Sequence, residues 1–193
     1  MIRESIVTTL GPDGAPHIAP IGVIVEPAGL VIAPFRPSAT LDNLTARRQA
    51  VVNYTDDVRV FAGCITGKKR DWPTRAAERV AGAVLEAALA HEEVELVEIR
   101  EDPQRPRFLC RTVHAVNSAP FRGFNRAQSA VIEAAILASR LSLLPREKIE
   151  REIGFLTIGV EKTAGPRERE AWGWLMEMIE EYHRAPERRT FRR

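Results

Sequence analysis

The stretch FRPSATLDN, residues 35–43, joins an apolar run typical of a β-strand, GLVIAP, to LTARRQA, a run typical of a short helix. Its polar residues mark a strand-to-helix junction. Ser38 or Thr40 is a candidate helix cap, because a hydroxyl oxygen accepts a hydrogen bond from one of the first free N–H groups of a helix. Asp42 then stands in the first turn, where a negative charge is favourable. Taken alone, the residues favour this capping role.

The same junction also has the composition of an anion site. The start of a helix offers unpaired N–H groups and a partial positive charge. Arg36 is able to place two parallel hydrogen bonds on a phosphate group. The two interpretations are compatible, because a cap satisfies one N–H group and leaves others for a ligand.

Around the junction the sequence predicts antiparallel sheet first and helices last. Alternating or β-branched runs joined by Gly- and Pro-containing turns indicate strands in a meander. We predict strands at ESIVTTL (4–10), HIAPIGVIV (17–25), LVIAPF (30–35), AVVNYTDD (50–57), VRVFAGCITG (58–67), both ends of 80–102, and FLCRTVHAV (108–116). We predict helices at 125–144, 145–163 and 165–184, where long runs carry helix-forming residues and prolines stand at two of the starts. Within the second, GFLTIGV (154–160) is also compatible with a strand.

This order predicts an α+β fold in which a barrel or strongly bent antiparallel sheet precedes a helical region. We expect a barrel domain over residues 1–122, a helical region over 123–184 and a disordered basic tail over 185–193. The chain has 193 residues, of which 45% are hydrophobic, enough for a sizeable core.

Composition argues against several classes of function. The formal net charge is only +2, so no overall field for nucleic acid is predicted, and the short basic runs are typical of solvated surface. No apolar run is long enough to span a membrane and the N-terminus lacks a signal peptide, so we expect a cytoplasmic protein with reduced Cys64 and Cys110. None of the four histidines has metal-ligand spacing, and no metal site is predicted.

The order of elements, with R-P-S-x-T-x-x-N at the helix start and VVN on the next strand, resembles the FMN-binding split-barrel flavoproteins. Three stretches narrow the resemblance to the domain-of-unknown-function 447 family: VVNYTDD (51–57), PFRGFNRAQSAVIEAAILASRL (120–141) and VEKTAG (160–165). The resemblance covers about residues 1–184. It implies a split β-barrel with an added helical region, bound FMN and a homodimer. Members occur mainly in archaea and in bacteria with methanopterin-linked one-carbon metabolism.

The resemblance also implies a set of cofactor-binding residues. The FMN phosphate is expected at Arg36, Ser38, Ala39 (through its backbone) and Thr40. Asn43, Asn53 and Thr55 are expected near the ribityl chain or the phosphate, with the alternative that Asn43 locks the turn. The edge of the isoalloxazine ring is expected at backbone groups of Pro20, Ile21, Gly22, Pro34 and Phe35.

Two further pairs of residues are assigned more loosely. Lys68 and Lys69 stand where some split barrels place a second cation for the phosphate. Asn125 and Arg126 either line the site or serve as a helix cap and a structural ion pair.

Three functions follow as hypotheses. The first is a dimeric FMN-dependent oxidoreductase acting on a small molecule, with the resemblance pointing to methanopterin-linked one-carbon metabolism. The second is a non-catalytic protein that binds FMN or another ligand. The third is a nucleic-acid-associated protein that uses its basic tail. No catalytic residue is predicted, because in flavoproteins the cofactor carries the hydride chemistry.

Overall fold

The computed structural model describes residues 1–184. The strands are β1 (Ile2–Leu10), β2 (Pro16–Glu26), β3 (Gly29–Ile32), β4 (Gln49–Tyr54), β5 (Thr74–Ala76), β6 (Ala83–Leu85), β7 (Ala90–Arg100) and β8 (Arg107–Asn117). The helices are α1 (Ala39–Arg47), α2 (Arg59–Thr66), α3 (Arg126–Ala138), α4 (Arg146–Thr163) and α5 (Pro166–Arg184).

Six strands close into an antiparallel barrel in the order β1-β2-β3-β8-β7-β4. The predicted α+β fold with an antiparallel barrel is therefore confirmed. Gly29 allows β3 to lie against β8, because its φ is +143° and a Cβ there would stand 2.2 Å from the Cys110 carbonyl oxygen. A residue with a side chain would be strained at this position and would collide with the neighbouring backbone.

The barrel interior is filled by side chains that alternate along the strands, as the period of two in a half-buried strand requires. The buried set comprises Val7, Val23, Leu30, Ile32, Ala50, Val52, Val94, Leu96, Phe108 and Cys110, with Leu41 and Leu44 from α1. Because α1 contributes to this core, the helix that follows the junction is fixed to the barrel.

A short hairpin covers part of the outer barrel surface. It consists of β5, β6 and their connecting loop, residues 74–85, and is called the strap below. Side chains of the barrel strands bond to its backbone: Thr8 donates to the Ala83 carbonyl, and Asn53 Oδ1 accepts the Leu85 N–H at 2.8 Å. The Glu93 carboxylate accepts three consecutive N–H groups, from Glu78, Arg79 and Val80, at 2.8, 2.6 and 3.0 Å.

The chain forms two compact units. The barrel unit contains residues 1–56 and 71–121, and the helical unit contains residues 57–70 and 122–184. The predicted division placed residues 57–70 with the barrel, whereas here they pack with the helices. In the helical unit, Val58 and Ala62 are buried in one core with side chains from α3, α4 and α5, including Val131, Ile149 and Leu175.

The prediction of a strand at VRVFAGCITG is wrong, because residues 59–66 form α2. An apolar run of this length does not by itself distinguish a strand from a buried helix. Two local signals do: the Asp57 carboxylate accepts the Arg59 N–H at 3.2 Å near the helix start, and Gly67 ends the helix with φ +74°. The Asp57 carboxyl also binds the Arg59 guanidinium at 2.6 Å, and this pairing lowers its pKa against the opposing effect of burial.

The three predicted C-terminal helices are present, but the first is shorter than expected. α3 ends at Ala138 and turns follow, in which Arg140 N–H donates to the Leu137 carbonyl. Ser139 Oγ donates to the Ile136 carbonyl and competes with helix continuation. Among the described helices none is long and apolar enough to cross a membrane. The predicted disordered tail, 185–193, lies outside the described residues.

Candidate functional site

The junction after β3 forms a capped helix start. Ser38 has extended backbone angles, and its hydroxyl accepts the Leu41 N–H at 3.3 Å, so the capping role predicted for Ser38 is observed. The first backbone bond of the helix runs from Asp42 N–H to the Ser38 carbonyl at 3.2 Å. Ala39 and Thr40, the first two helical residues, have N–H groups with no acceptor among residues 1–184. The helix therefore presents two donors and a partial positive charge to a ligand.

Thr40 and Arg36 stand on either side of this cap. Thr40 is buried, at 2% exposure, and its hydroxyl makes no hydrogen bond with any described residue. Arg36 Nη2 lies 2.8 Å from Glu101 Oε2, and both side chains are substantially exposed. An exposed ion pair contributes little to stability. Arg36 is therefore able to leave Glu101 and bind a phosphate group with only a small loss of folding free energy.

Asn43 fixes α1 to the barrel. Its side chain is buried, and Nδ2 donates to Thr9 Oγ1 at 3.0 Å. At the other end of the helix, Arg47 donates to the carbonyls of Gly11 and Pro12. These contacts agree with the alternative in which Asn43 locks the turn, and they hold the helix start in place.

Asn53 and Thr55 make structural contacts on and after β4. Asn53 has no exposed surface, and its amide donates to the Ile6 carbonyl at 3.0 Å while accepting the Leu85 N–H of the strap. Thr55 Oγ1 donates to the Ala87 carbonyl at 2.7 Å. Asn53 thus joins the barrel to the strap, and Thr55 bonds to the segment that follows the strap. Their place near the ribityl chain or the phosphate stays a prediction.

The residues expected at the isoalloxazine edge lie on β2 and in the junction. Pro20, Ile21 and Gly22 pair with β1, whereas the pairing of β2 with β3 begins only at Ile24. A second edge of β2 is thereby left beside the junction without a partner strand among the described elements. A Cβ at Gly22 would stand 2.8 Å from Ile2 Cγ2, so a larger residue here would displace side chains of β1.

Phe35 has an exposed ring at the surface of the junction. It is 60% exposed, and the Arg105 guanidinium carbon lies 4.4 Å from its ring centroid. Arg105 belongs to the β7–β8 turn and was not found from the sequence. Only the pairing of β3 with β8, Ile32 opposite Phe108, brings this turn to the junction.

Four predicted residues belong to the helical unit. Asn125 is the cap of α3: Oδ1 accepts the N–H groups of Ala127 and Gln128, and Nδ2 donates to the Thr163 carbonyl at 3.1 Å. Arg126 is the first helical residue of α3. Lys68 Nζ lies 2.9 Å from Glu177 Oε2, and Lys69 follows it in the same segment. Of the two roles predicted for Asn125, the cap is the one for which the structure gives contacts.

Comparison with known proteins gives a family and a fold. Residues 3–119 match the N-terminal domain, and residues 125–177 the C-terminal part, of the family described as "Protein of unknown function (DUF447)". No curated protein matches the chain.

Solved structures share the fold. An FMN-bound DUF447 protein from Methanosarcina mazei is 23% identical, over 92% of this chain and 94% of that one, with a TM-score of 0.80. A flavoredoxin from Methanosarcina acetivorans is 16% identical, over 61% of this chain and 69% of its own, with a TM-score of 0.52. An NADH:FAD oxidoreductase from Streptomyces globisporus is 17% identical, over 61% of this chain and 76% of its own, with a TM-score of 0.50.

Proposed function

The chain belongs to the DUF447 family, and from this premise we propose that it is a flavoprotein that binds FMN at the start of α1. The observation that carries the proposal is the capped junction. The N–H groups of Ala39 and Thr40 have no acceptor there among the described residues, and the nearby Arg36 is bound only to an exposed carboxylate that a phosphate is able to replace. The FMN-bound relative, whose fold extends over nearly the whole chain, supports FMN as the ligand.

The residues divide between the two ends of the cofactor. Arg36, Ser38, Ala39 and Thr40 bind the phosphate through charge, hydroxyl and backbone N–H donors. Backbone groups of Pro20, Ile21, Gly22 and Phe35 hold the ring edge, and the incompletely paired edge of β2 supports this assignment. Arg36 has an exposed carboxylate partner that a phosphate replaces, so the residues present fit the group.

We propose further that the bound flavin serves an oxidoreductase acting on a small molecule. Bound FMN supplies hydride transfer, so the chain needs to hold the cofactor and shape a pocket without a catalytic triad. The shared fold with a flavoredoxin and an NADH:FAD oxidoreductase supports this class by analogy only. The family resemblance alone points to a substrate of methanopterin-linked one-carbon metabolism and to a homodimer.

Purification of the full chain tests the proposal. We expect a yellow protein with an absorbance peak at about 450 nm, as oxidised flavin gives. Mass spectrometry of the released cofactor should identify FMN, and light scattering should give the mass of a dimer. If neither NAD(P)H nor a reduced deazaflavin bleaches the bound flavin, the oxidoreductase class fails and the non-catalytic carrier remains.

Substitution tests the phosphate assignment. The double variant Arg36→Ala/Thr40→Ala should keep the fold and lose FMN affinity, because each charged phosphate contact contributes about 1.5–3 kcal/mol, on the order of ten- to a hundredfold. Thr45→Ala/Arg111→Ala is the matched control, since both of its residues are exposed and outside the junction. Equal FMN retention by the two double variants would contradict the assignment.

A further inference from the structure

We propose that Arg105, in the β7–β8 turn, is a second cationic contact for the FMN phosphate and makes the site select FMN over riboflavin. The inference rests on the proposed function, because it adds a residue to the same phosphate site. It assigns a role to a side chain that the sequence did not single out.

The β7–β8 turn is bonded directly to the junction. Arg36 N–H donates to the Gln104 carbonyl at 2.9 Å, and the Arg36 side chain reaches Glu101 in the same turn. Arg36, which makes both contacts, precedes Pro37 and the helix cap Ser38 in the chain. The turn is therefore part of the wall beside the start of α1.

Asp102 gives this turn its shape. Its carboxylate accepts the N–H groups of Gln104 at 2.8 Å and Arg105 at 2.6 Å. These two backbone bonds hold the pKa of Asp102 below its usual range, and the positive charges of Arg105 and Arg36 add to the effect. Both guanidinium groups thus act electrostatically on one carboxylate of the turn.

The Arg105 side chain is held in position before any ligand arrives. Nε and Nη2 donate to the Ala33 carbonyl at 3.2 and 2.9 Å, and the guanidinium lies over the Phe35 ring. Only part of the five-donor guanidinium is engaged in this way, and Nη1 keeps its hydrogens for another acceptor. An arginine fixed by a carbonyl and a ring loses little conformational entropy when it binds an anion.

Arg105 differs from the alternative cations in that, among residues 1–184, it forms no direct ion pair, although the Asp102 carboxylate acts on its charge. Arg36 is paired with Glu101, and Lys68 is paired with Glu177 within the helical unit. Arg105 bonds to a neutral carbonyl, and within residues 1–184 no carboxylate forms an ion pair with it. A dianionic phosphate beside the helix start gains a full charge-assisted contact there.

Comparing the binding of FMN with that of riboflavin distinguishes a contact to the phosphate from a structural role of Arg105. Riboflavin has the ring and ribityl chain of FMN without the phosphate. The dissociation constants of both flavins are measured by fluorescence quenching with the full-length Arg105→Gln, Arg36→Gln and Arg111→Gln variants. Arg111 is an exposed arginine of β8 paired with Glu95, and it serves as the matched control.

We expect Arg105→Gln to weaken FMN binding about ten- to a hundredfold while riboflavin binding changes less than about twofold. Arg111→Gln should change neither. If Arg105→Gln weakens both flavins equally, Arg105 only supports residues 33–36 and the inference is overturned. It is also overturned if Arg36→Gln is selective for FMN and Arg105→Gln is not, although the proposed function then stands. If the unaltered chain binds FMN no more tightly than riboflavin, the phosphate site itself fails.

Discussion

His91, on β7 beneath the strap, has two ring nitrogens without a hydrogen-bond partner among the described residues, and its side chain is fully buried. Nε2 lies 3.6 Å from Glu93 Oε1, too far for a hydrogen bond. Burial, and then the positive charge of Arg75, lower the pKa of His91, while Glu93 opposes them. The folded protein therefore holds this imidazole neutral.

The sign of the pH dependence follows from this lowered pKa. Above the unfolded-state pKa of about 6.5 both states hold His91 neutral, and stability is complete. As the pH falls below that value the unfolded chain takes up the proton first. The free energy of unfolding should then drop by up to about 1.4 kcal/mol per pH unit. Glu93, whose pKa is also lowered, adds its own loss only below the usual carboxyl range.

The variant His91→Phe should remove the His91 contribution. Urea denaturation at pH 7.5, 6 and 5 would show a smaller loss of stability between pH 7.5 and pH 5 than in the unaltered protein. A pH dependence identical to that of the unaltered protein would mean that His91 does not titrate on unfolding.

At the scale of single residues, the roles that were predictable from the sequence are those set by residues close by in the chain. Ser38 was a predicted cap because its acceptor role reaches only three positions ahead, to Leu41. Arg105 was missed because its contact with Ala33 spans 72 positions and depends on barrel closure. The contact of Asn53 with Leu85, which spans 32 positions, was not predictable for the same reason.

At the scale of elements, side chains of the barrel strands attach the strap through its backbone. The Glu93 carboxylate, which has no exposed surface, accepts three backbone N–H groups, and these bonds keep its pKa low despite burial. The neutral amide of Glu93→Gln has one acceptor oxygen, and its NH₂ group would face N–H donors. We expect a loss of about 1–3 kcal/mol and faster hydrogen exchange at residues 78–80.

Glu95→Gln is the control for this prediction, because Glu95 lies on the same strand and pairs with the exposed Arg111. Hydrogen-exchange mass spectrometry of the two variants compares the strap directly. Unchanged exchange at residues 78–80 in Glu93→Gln would show that apolar packing alone holds the strap.

Elements with a regular pattern were predictable, and those without one were not. The barrel strands are β-branched or apolar runs between turns, and α4 and α5 carry long runs with Pro145 and Pro166 at their starts. The strands of the strap have only three residues each, too few to show a period. α2 was read as a strand because its apolar residues outweighed the start and stop signals at Asp57 and Gly67.

On the scale of the whole molecule, the helical unit consists of two separate stretches of chain. A protein ending at Phe121 would keep α2 but lose α3, α4 and α5. Val58 and Ala62, now almost fully buried, would then be uncovered. We expect this truncation to aggregate, because exposed apolar patches promote association.

A second truncation, in which a short glycine–serine linker also replaces residues 57–70, should be more soluble. The soluble fraction after expression and the elution profile on size-exclusion chromatography compare the two truncations. Equal solubility would mean that the barrel unit tolerates an uncovered α2.

The interleaving of the two units along the chain also limits how recombination can exchange parts of the gene. The coding sequence for α2 lies between those of β4 and β5, whereas that for the other helices follows the barrel. Recombination at a single point near residue 122 would transfer three helices and leave the fourth behind. The helical unit therefore cannot pass between genes as one contiguous block.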